Sequence, residues 1–179
     1  MPTSCAHRRG HGERALLLIR ELAPVCPDTA LVDYWRARTA WSAGLSEMAS
    51  AELDGVSSTD MWLVYRARGT AALYRNQGDT AMNCFLMSIA AAETSRRKFW
   101  SGIDLCQAYL MLGLNGEALA LSELLLYNYT GDAMAEVMYG LCLNASGHYS
   151  RAAAVLSGVE GDRPAAHGLA QVLMEGFEQ

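Results

Sequence analysis

Apolar residues recur along the chain at helical spacing, in segments separated by short turns that contain glycine. Turns of this kind lie at 42–44, 77–79, 113–116 and 146–148. Between them Ala, Leu, Met and Glu dominate, Val and Ile are sparse, and no period-2 alternation extends beyond a few residues. Good helix formers at this spacing favour amphipathic helices over strands. The sequence therefore predicts an all-α protein.

The turns mark an internal repeat. The alanines that follow them, Ala49, Ala81, Ala118 and Ala152, are 32, 37 and 34 residues apart. Each copy combines a helix, a turn and a second helix that carries the alanine. The residues at two fixed offsets in the first helix are small or aromatic except for Leu143: they are Ala37 and Ala40, Gly69 and Ala72, Cys106 and Tyr109, and Gly140 and Leu143. A large apolar residue follows the alanine by four positions at Leu53, Phe85 and Leu156, whereas the third copy has Ser122.

This pattern resembles the tetratricopeptide repeat (TPR). The two best copies read LCQAY over 105–109 with Gly113 and Ala118, and YGLCL over 139–143 with Gly147 and Ala152. Two departures exist: Gly78 stands two residues late for the consensus turn, and the four full copies lack the terminal proline. Small residues permit close helix approach and large ones fill the gaps between helices. The resemblance implies a TPR-like solenoid of antiparallel helix hairpins, a right-handed superhelix without catalytic residues.

The resemblance divides the chain into a flexible N-terminus over 1–10 and one repeat domain over 11–179. This domain is predicted to contain a half repeat over 11–27, full repeats over about 30–57, 62–94, 99–128 and 133–158, and a terminal helix over 162–175. The terminal helix either caps the array or begins a further repeat. The sequence leaves open whether the chain is complete or part of a longer array.

Composition and charge exclude several classes of protein. The 179 residues are 51% hydrophobic and 18% charged with a net charge of -5, the reverse of a disordered composition. A pI near 5.3 disfavours nucleic-acid binding, which depends on Lys and Arg. No apolar run approaches the roughly 18 residues of a membrane span, so no membrane insertion is expected. Five cysteines without a CxxC pair argue against a disulfide framework and favour a reducing, cytoplasmic setting.

The sequence offers little catalytic chemistry. It lacks a Walker loop, a GxGxxG after a strand, an HExxH and a GxSxG motif, so neither an enzyme nor a cofactor is predicted. Cys5, His7 and His11 are the best candidate metal ligands, but they lie at a terminus, where disorder is common. We therefore expect no metal site. Cys106 and Cys142 fall at or beside small-residue positions and are predicted to be buried packing residues.

In tandem helix hairpins the first helices line the concave face. The groove on this face is predicted from the four repeat copies aligned on the alanine that follows each turn. The residues predicted to line it are Leu31, Tyr34, Arg38 and Trp41; Leu63, Arg66, Thr70, Leu73 and Tyr74; Trp100, Ile103, Gln107, Leu110 and Met111; and Met134, Val137, Leu141 and Asn144. Such an apolar, aromatic surface is typical of an interaction site. The alternative is that internal packing buries this stripe.

The predicted partner is a protein or peptide with an apolar segment, either an amphipathic helix or an extended hydrophobic peptide. TPR proteins that bind the C-terminal carboxylate of Hsp70 or Hsp90 use Lys and Asn side chains. The equivalent positions here hold Tyr34, Arg38, Arg66 and Thr70, so only a partial basic pair remains. The leading hypothesis is a non-catalytic interaction module, an adaptor or a chaperone similar in class and size to those of type III secretion. The alternative is a self-associating scaffold subunit, with a homodimer left open, and a metal protein or enzyme ranks last.

Overall fold

The computed structural model describes residues 17–21, 23–25, 29–42 and 45–159. Residues 17–21 are helical, and eight further α-helices follow: α1 (Thr29–Ser42), α2 (Ser46–Gly55), α3 (Met61–Tyr74), α4 (Gly78–Ala91), α5 (Ser95–Met111), α6 (Asn115–Asn128), α7 (Ala133–Ala145) and α8 (Tyr149–Ser157). This described part of the chain contains no strand, which confirms the all-α prediction. The predicted flexible N-terminus over 1–10, much of the half repeat over 11–27 and the terminal helix over 162–175 lie outside it.

The helices form hairpins in two compact units, residues 1–92 and residues 93–179. We call the first helix of each hairpin (α1, α3, α5 and α7) an A helix and the second (α2, α4, α6 and α8) a B helix. Within each unit every helix packs against the next one in the chain. The two A helices of a unit also contact each other, α1 with α3 and α5 with α7. Each unit is therefore a stack of two antiparallel helix hairpins.

Polar side chains cap the N-termini of three A helices. The Asp60 carboxylate accepts a hydrogen bond from the Trp62 backbone N–H at 3.2 Å, at the start of α3. The Thr94 hydroxyl accepts one from the Arg97 N–H at 3.2 Å, at the start of α5. Asp132 accepts bonds from the Met134 and Ala135 N–H groups at 3.0 and 3.4 Å, at the start of α7. These acceptors satisfy donors that have no partner inside the helix.

The A helices α3, α5 and α7 end in the same left-handed turn. Gly113 and Gly147 have φ values of 72° and 80°, and in the second hairpin Asn76 takes this role with a φ of 56°. The residue after each of them donates its N–H to a carbonyl five residues earlier, all at 2.9 Å. Asn tolerates this conformation better than most residues with a β-carbon. The late Gly78 is therefore not the turn residue, because Asn76 already supplies the left-handed turn.

Each glycine of the repeat pattern receives a large side chain from the B helix of its own hairpin. A β-carbon on Gly69 would lie 2.6 Å from the Phe85 ring, and one on Gly140 would lie 2.7 Å from Leu156. The third hairpin differs, because Leu125 packs on Gly102, where a β-carbon would lie 3.0 Å from it. Relative to the other hairpins, this contact is one turn earlier in the A helix and about one turn later in the B helix.

Candidate interaction surface on the A helices

Two aromatic side chains join the A helices of the first unit near their C-terminal ends. The rings of Trp41 on α1 and Tyr74 on α3 are stacked, with centroids 3.8 Å apart and planes inclined by 5°. Trp41 remains 36% exposed and Tyr74 is half-buried. The stack fixes the two rings relative to each other and leaves about a third of the Trp41 side chain open to solvent.

One turn earlier on α1, an arginine lies among aromatic rings. The Arg38 guanidinium donates a hydrogen bond to the Tyr34 hydroxyl at 2.9 Å, and its centre lies 5.8 Å from the rings of both Tyr34 and Trp35. Tyr34 is fully buried, whereas Trp35 is 41% exposed. The guanidinium of Arg38 is thereby held in one orientation beside an exposed indole.

A second arginine, Arg66 on α3, lies inside the protein. Its guanidinium is 5.0 Å from the Tyr34 ring centroid and 5.4 Å from that of Trp62. The Thr70 hydroxyl donates to the Arg66 carbonyl oxygen at 2.9 Å. Arg66 and Thr70 are both buried, with only 1% and 3% of their surface exposed. Both side chains therefore lie inside the protein, although the sequence predicted that they line the groove.

The predicted groove residues therefore fall into two groups. Buried in the protein are Tyr34, Leu63, Arg66, Thr70, Ile103 and Val137. Half-buried or exposed are Leu31, Arg38, Trp41, Leu73, Tyr74, Trp100, Gln107, Leu110, Met111, Met134, Leu141 and Asn144. Only the second group presents atoms that a partner could contact. Trp35 also belongs to this accessible group, but the sequence did not predict it. Its position three residues before Arg38 places it on the same side of α1 and could have indicated it.

In the second unit, five of the seven accessible groove residues lie in the C-terminal halves of α5 and α7. Gln107, Leu110 and Met111 lie on α5, and Leu141 and Asn144 lie on α7. Met111 is 41% exposed and the other four are half-buried. Leu110 and Leu141 both pack, partly buried, against the core cluster that contains Phe99.

Trp100, near the N-terminal end of α5, is held in place by several contacts. It packs partly buried against the core that contains Phe99, and the Arg96 guanidinium lies 4.8 Å from its ring centroid. Arg96 also forms an ion pair with Asp132 at 2.7 Å. The Tyr129 hydroxyl donates to the Ser95 carbonyl oxygen beside this pair. These contacts fix the start of α5 against the loop that precedes α7.

A polar network in the second unit was missed by the sequence analysis. The Arg151 guanidinium donates to the Tyr139 hydroxyl at 2.7 Å, and that hydroxyl donates to the Glu123 carboxylate at 3.3 Å. Burial is the main cause that raises the pKa of Tyr139 above its ordinary value, Glu123 raises it further, and Arg151 opposes the shift. This network joins α6, α7 and α8.

The described residues contain no group of three His, Cys, Asp or Glu side chains placed to hold a metal ion. The candidate ligands Cys5, His7 and His11 lie outside the described part of the chain. No helix that the structure describes is both long and apolar enough to span a membrane.

Comparisons with known proteins identify the fold. No protein-family profile matches the sequence, and no curated protein matches it. Two solved structures match. Both contain nearly identical TPR-like repeats of a Podosopora anserina protein that is described as a kinesin light chain. One has a TM-score of 0.52 and 15% identity over 87% of this chain and 89% of that chain. The other, a single-substitution variant, has a TM-score of 0.55 and 15% identity over 93% and 92%. The fold of this chain is thus a TPR-like helical repeat, as the sequence pattern predicted.

Proposed function

We propose that the protein is a non-catalytic interaction module that binds an apolar segment of a partner protein on its A helices. The observation that carries this proposal is the Trp41–Tyr74 stack, which holds an indole in one orientation and leaves it 36% exposed. Trp and Tyr are the residue types most enriched among the residues that dominate binding energy. A prearranged aromatic surface also loses little side-chain entropy on binding.

The remaining accessible residues define the chemistry of the partner. In the first unit Trp35 and Arg38 extend the surface of Trp41 along α1. In the second unit Leu110, Met111 and Leu141 offer aliphatic and thioether surface, with Gln107 and Asn144 as the polar members. An amphipathic helix or an extended hydrophobic peptide matches this composition, because its apolar side chains fill such a surface. We infer an adaptor or chaperone-like role in the cytoplasm.

A displayed library of amphipathic and extended apolar peptides tests this proposal. Peptides are selected on the full chain, and their affinities are measured by fluorescence anisotropy for the wild type and for the Trp41→Ala and Leu110→Ala variants. The matched control is Tyr127→Ala, because Tyr127 on α6 is 82% exposed and lies off the A helices. We expect a loss of about tenfold or more for at least one A-helix variant and less than about twofold for the control.

Two results would reject the proposal: selection of no apolar peptide, or equal weakening by Trp41→Ala, Leu110→Ala and Tyr127→Ala. Circular dichroism of each variant separates a lost contact from a lost fold.

Self-association as a scaffold subunit is the second candidate. Leu124 and Tyr127 lie three residues apart on α6 and are 56% and 82% exposed, so they form an apolar patch away from the A helices. Light scattering after size exclusion distinguishes the two functions. A dimer that Tyr127→Glu converts to a monomer would favour the scaffold, whereas a monomer at all concentrations would exclude it.

A further inference from the structure

Two buried cysteines come together in the third and fourth hairpins. Cys106 on α5 and Cys142 on α7 are both free thiols with no solvent exposure. They belong to one core cluster, together with Ala118 and Ala135. The Cys106 sulfur lies 3.8 Å from the Ala118 carbonyl oxygen. The A helices that carry the two thiols contact each other directly.

The third hairpin makes room for this pair. Cys106 stands where the second and fourth hairpins have Gly69 and Gly140, and Ser122 stands where they have Phe85 and Leu156. The large contact has moved to Gly102 and Leu125, so no bulky side chain is needed between Cys106 and Ser122. Ser122 is itself fully buried and donates to the Leu119 carbonyl oxygen at 2.9 Å. Two sulfurs and one hydroxyl thus share a site that is filled by hydrocarbon in the other hairpins.

The two thiols affect each other's ionisation. The interaction with Cys106, aided by the Ser122 hydroxyl, holds the pKa of Cys142 below its ordinary value, whereas burial opposes this shift. The same contact with Cys142, followed by burial, raises the pKa of Cys106. The main cause of each shift is the other thiol, so the two side chains interact directly in the core and titrate as a pair.

We propose that Cys106 and Cys142 are a redox pair that closes into a disulfide between α5 and α7. A hydroperoxide is the oxidant. The thiolate of one cysteine attacks the terminal peroxide oxygen, the O–O bond breaks, and a sulfenic acid forms while the departing oxygen takes up a proton. The sulfur of the other cysteine then attacks the sulfenic sulfur, loses its proton, and expels the sulfenic oxygen as water. With hydrogen peroxide, two thiols are oxidised by two electrons and the peroxide is reduced to two waters.

Both thiols are buried, so the oxidant reaches them when the second unit opens locally. The reaction is therefore slower than that of an exposed thiol. Cys84 on α4 provides an internal comparison, since it is half-buried, lies in the other unit, and has a pKa raised mainly by burial. The disulfide itself does not depend on the proposed partner binding.

Fragment mapping of the oxidised full chain tests the pair. Hydrogen peroxide is applied to the folded protein, remaining thiols are alkylated, and the chain is cut after glutamate. Complete cleavage releases Cys106 in a fragment over 94–117 and Cys142 in a fragment over 137–160. We expect mass spectrometry to find these two fragments joined, and dithiothreitol to separate them. Trypsin is unsuitable, because the chain has no Lys or Arg between Lys98 and Arg151.

Controls make the result decisive. Cys84→Ala should leave the joined fragments unchanged, and Cys142→Ala should abolish them. The oxidised wild type should also show unchanged helicity and a higher Tm that returns to its starting value on reduction. Separate fragments with alkylated or over-oxidised thiols, or fragments joined only after unfolding in urea, would overturn the proposal. The wild-type map decides the question even if a cysteine variant fails to fold.

Discussion

Leu156 occupies the space that a β-carbon on Gly140 would need. The Cγ and Cδ2 atoms of Leu156 lie 2.7 Å from that position, closer than real β-carbon contacts allow. Leu156 is buried with 3% exposure and packs against Val137 and Val159, so it has little room to move away. The fourth hairpin therefore depends on a glycine at a helix crossing.

Gly140→Ala should destabilise the protein by about 1–3 kcal/mol, because the added methyl group overpacks this crossing. The matched control is Gly116→Ala in α6, where a β-carbon would meet nothing within 4 Å. There the substitution should be neutral or stabilising by up to about 1 kcal/mol, since glycine costs backbone entropy in a helix. Urea unfolding followed by circular dichroism measures both. Equal effects at the two positions would contradict the described packing.

The left-handed turn at Asn76 gives a second prediction. Asn76→Gly should stabilise the protein slightly, because glycine adopts a φ of 56° without strain. Asn76→Ala should cost about 1 kcal/mol, since alanine lacks the local hydrogen bonds that let Asn tolerate this region. Thermal melts of the two variants should move in opposite directions from the wild type. If both lower Tm, the turn is not left-handed at this residue.

Asp132 caps α7 and pairs with Arg96, and its variants separate these roles. Asp132→Asn keeps the cap and should cost less than about 1 kcal/mol, because the ion pair is partly exposed. Asp132→Ala loses both contacts and should cost about 1–2 kcal/mol. Added salt should shrink the difference between the wild type and each variant by a similar amount, and it should leave the difference between Asp132→Asn and Asp132→Ala unchanged. Equal destabilisation by the two variants would mean that the ion pair dominates.

The hairpin order was predictable because it depends on local signals. Glycine in the turns and alanine at a fixed position after them recur with a nearly constant interval, and each has a backbone or packing reason. The turn at Asn76 was harder to identify, since Gly78 nearby offered a misleading signal. Periodicity could not reveal that the contact in the third hairpin moves to Gly102 and Leu125. The shift depends on how a large side chain in one helix fits a small residue in the other. The repeat pattern compares residues at one position at a time and does not contain this pairing.

The accessible surface was less predictable than the fold. Helical spacing shows which side of an A helix a residue occupies, but not how deeply the neighbouring helix covers it. Arg66 illustrates this limit, because a charged residue on the predicted groove is 1% exposed and lies over two aromatic rings. Conversely, Trp35 is exposed although it adjoins the fully buried Tyr34. Depth of burial follows from contacts between helices, which sequence spacing alone does not contain.

Tyr139 predicts a dependence of stability on alkaline pH. Its pKa is raised in the folded protein from an ordinary value of 10.0, so the unfolded chain loses this proton first. The contribution of Tyr139 is therefore complete below about pH 10 and is lost as pH rises through its folded pKa. At neutral pH, Tyr139→Phe should cost about 1 kcal/mol through its lost hydrogen bonds. The gap between the two proteins should narrow above about pH 10 in urea titrations, and a constant gap would contradict the shift.

The Trp41–Tyr74 stack predicts an energetic coupling between α1 and α3. In a double-mutant cycle, Trp41→Ala and Tyr74→Ala should show an interaction of about 0.5–1.5 kcal/mol in the free energy of unfolding. Trp41→Ala combined with Tyr127→Ala serves as the control and should be additive, because Tyr127 lies on α6 and is 82% exposed. An additive Trp41–Tyr74 pair would mean that the stack does not hold the indole in place. A coupled pair, together with peptide affinity lost in Trp41→Ala alone, would show that the same ring both joins the helices and contacts the partner.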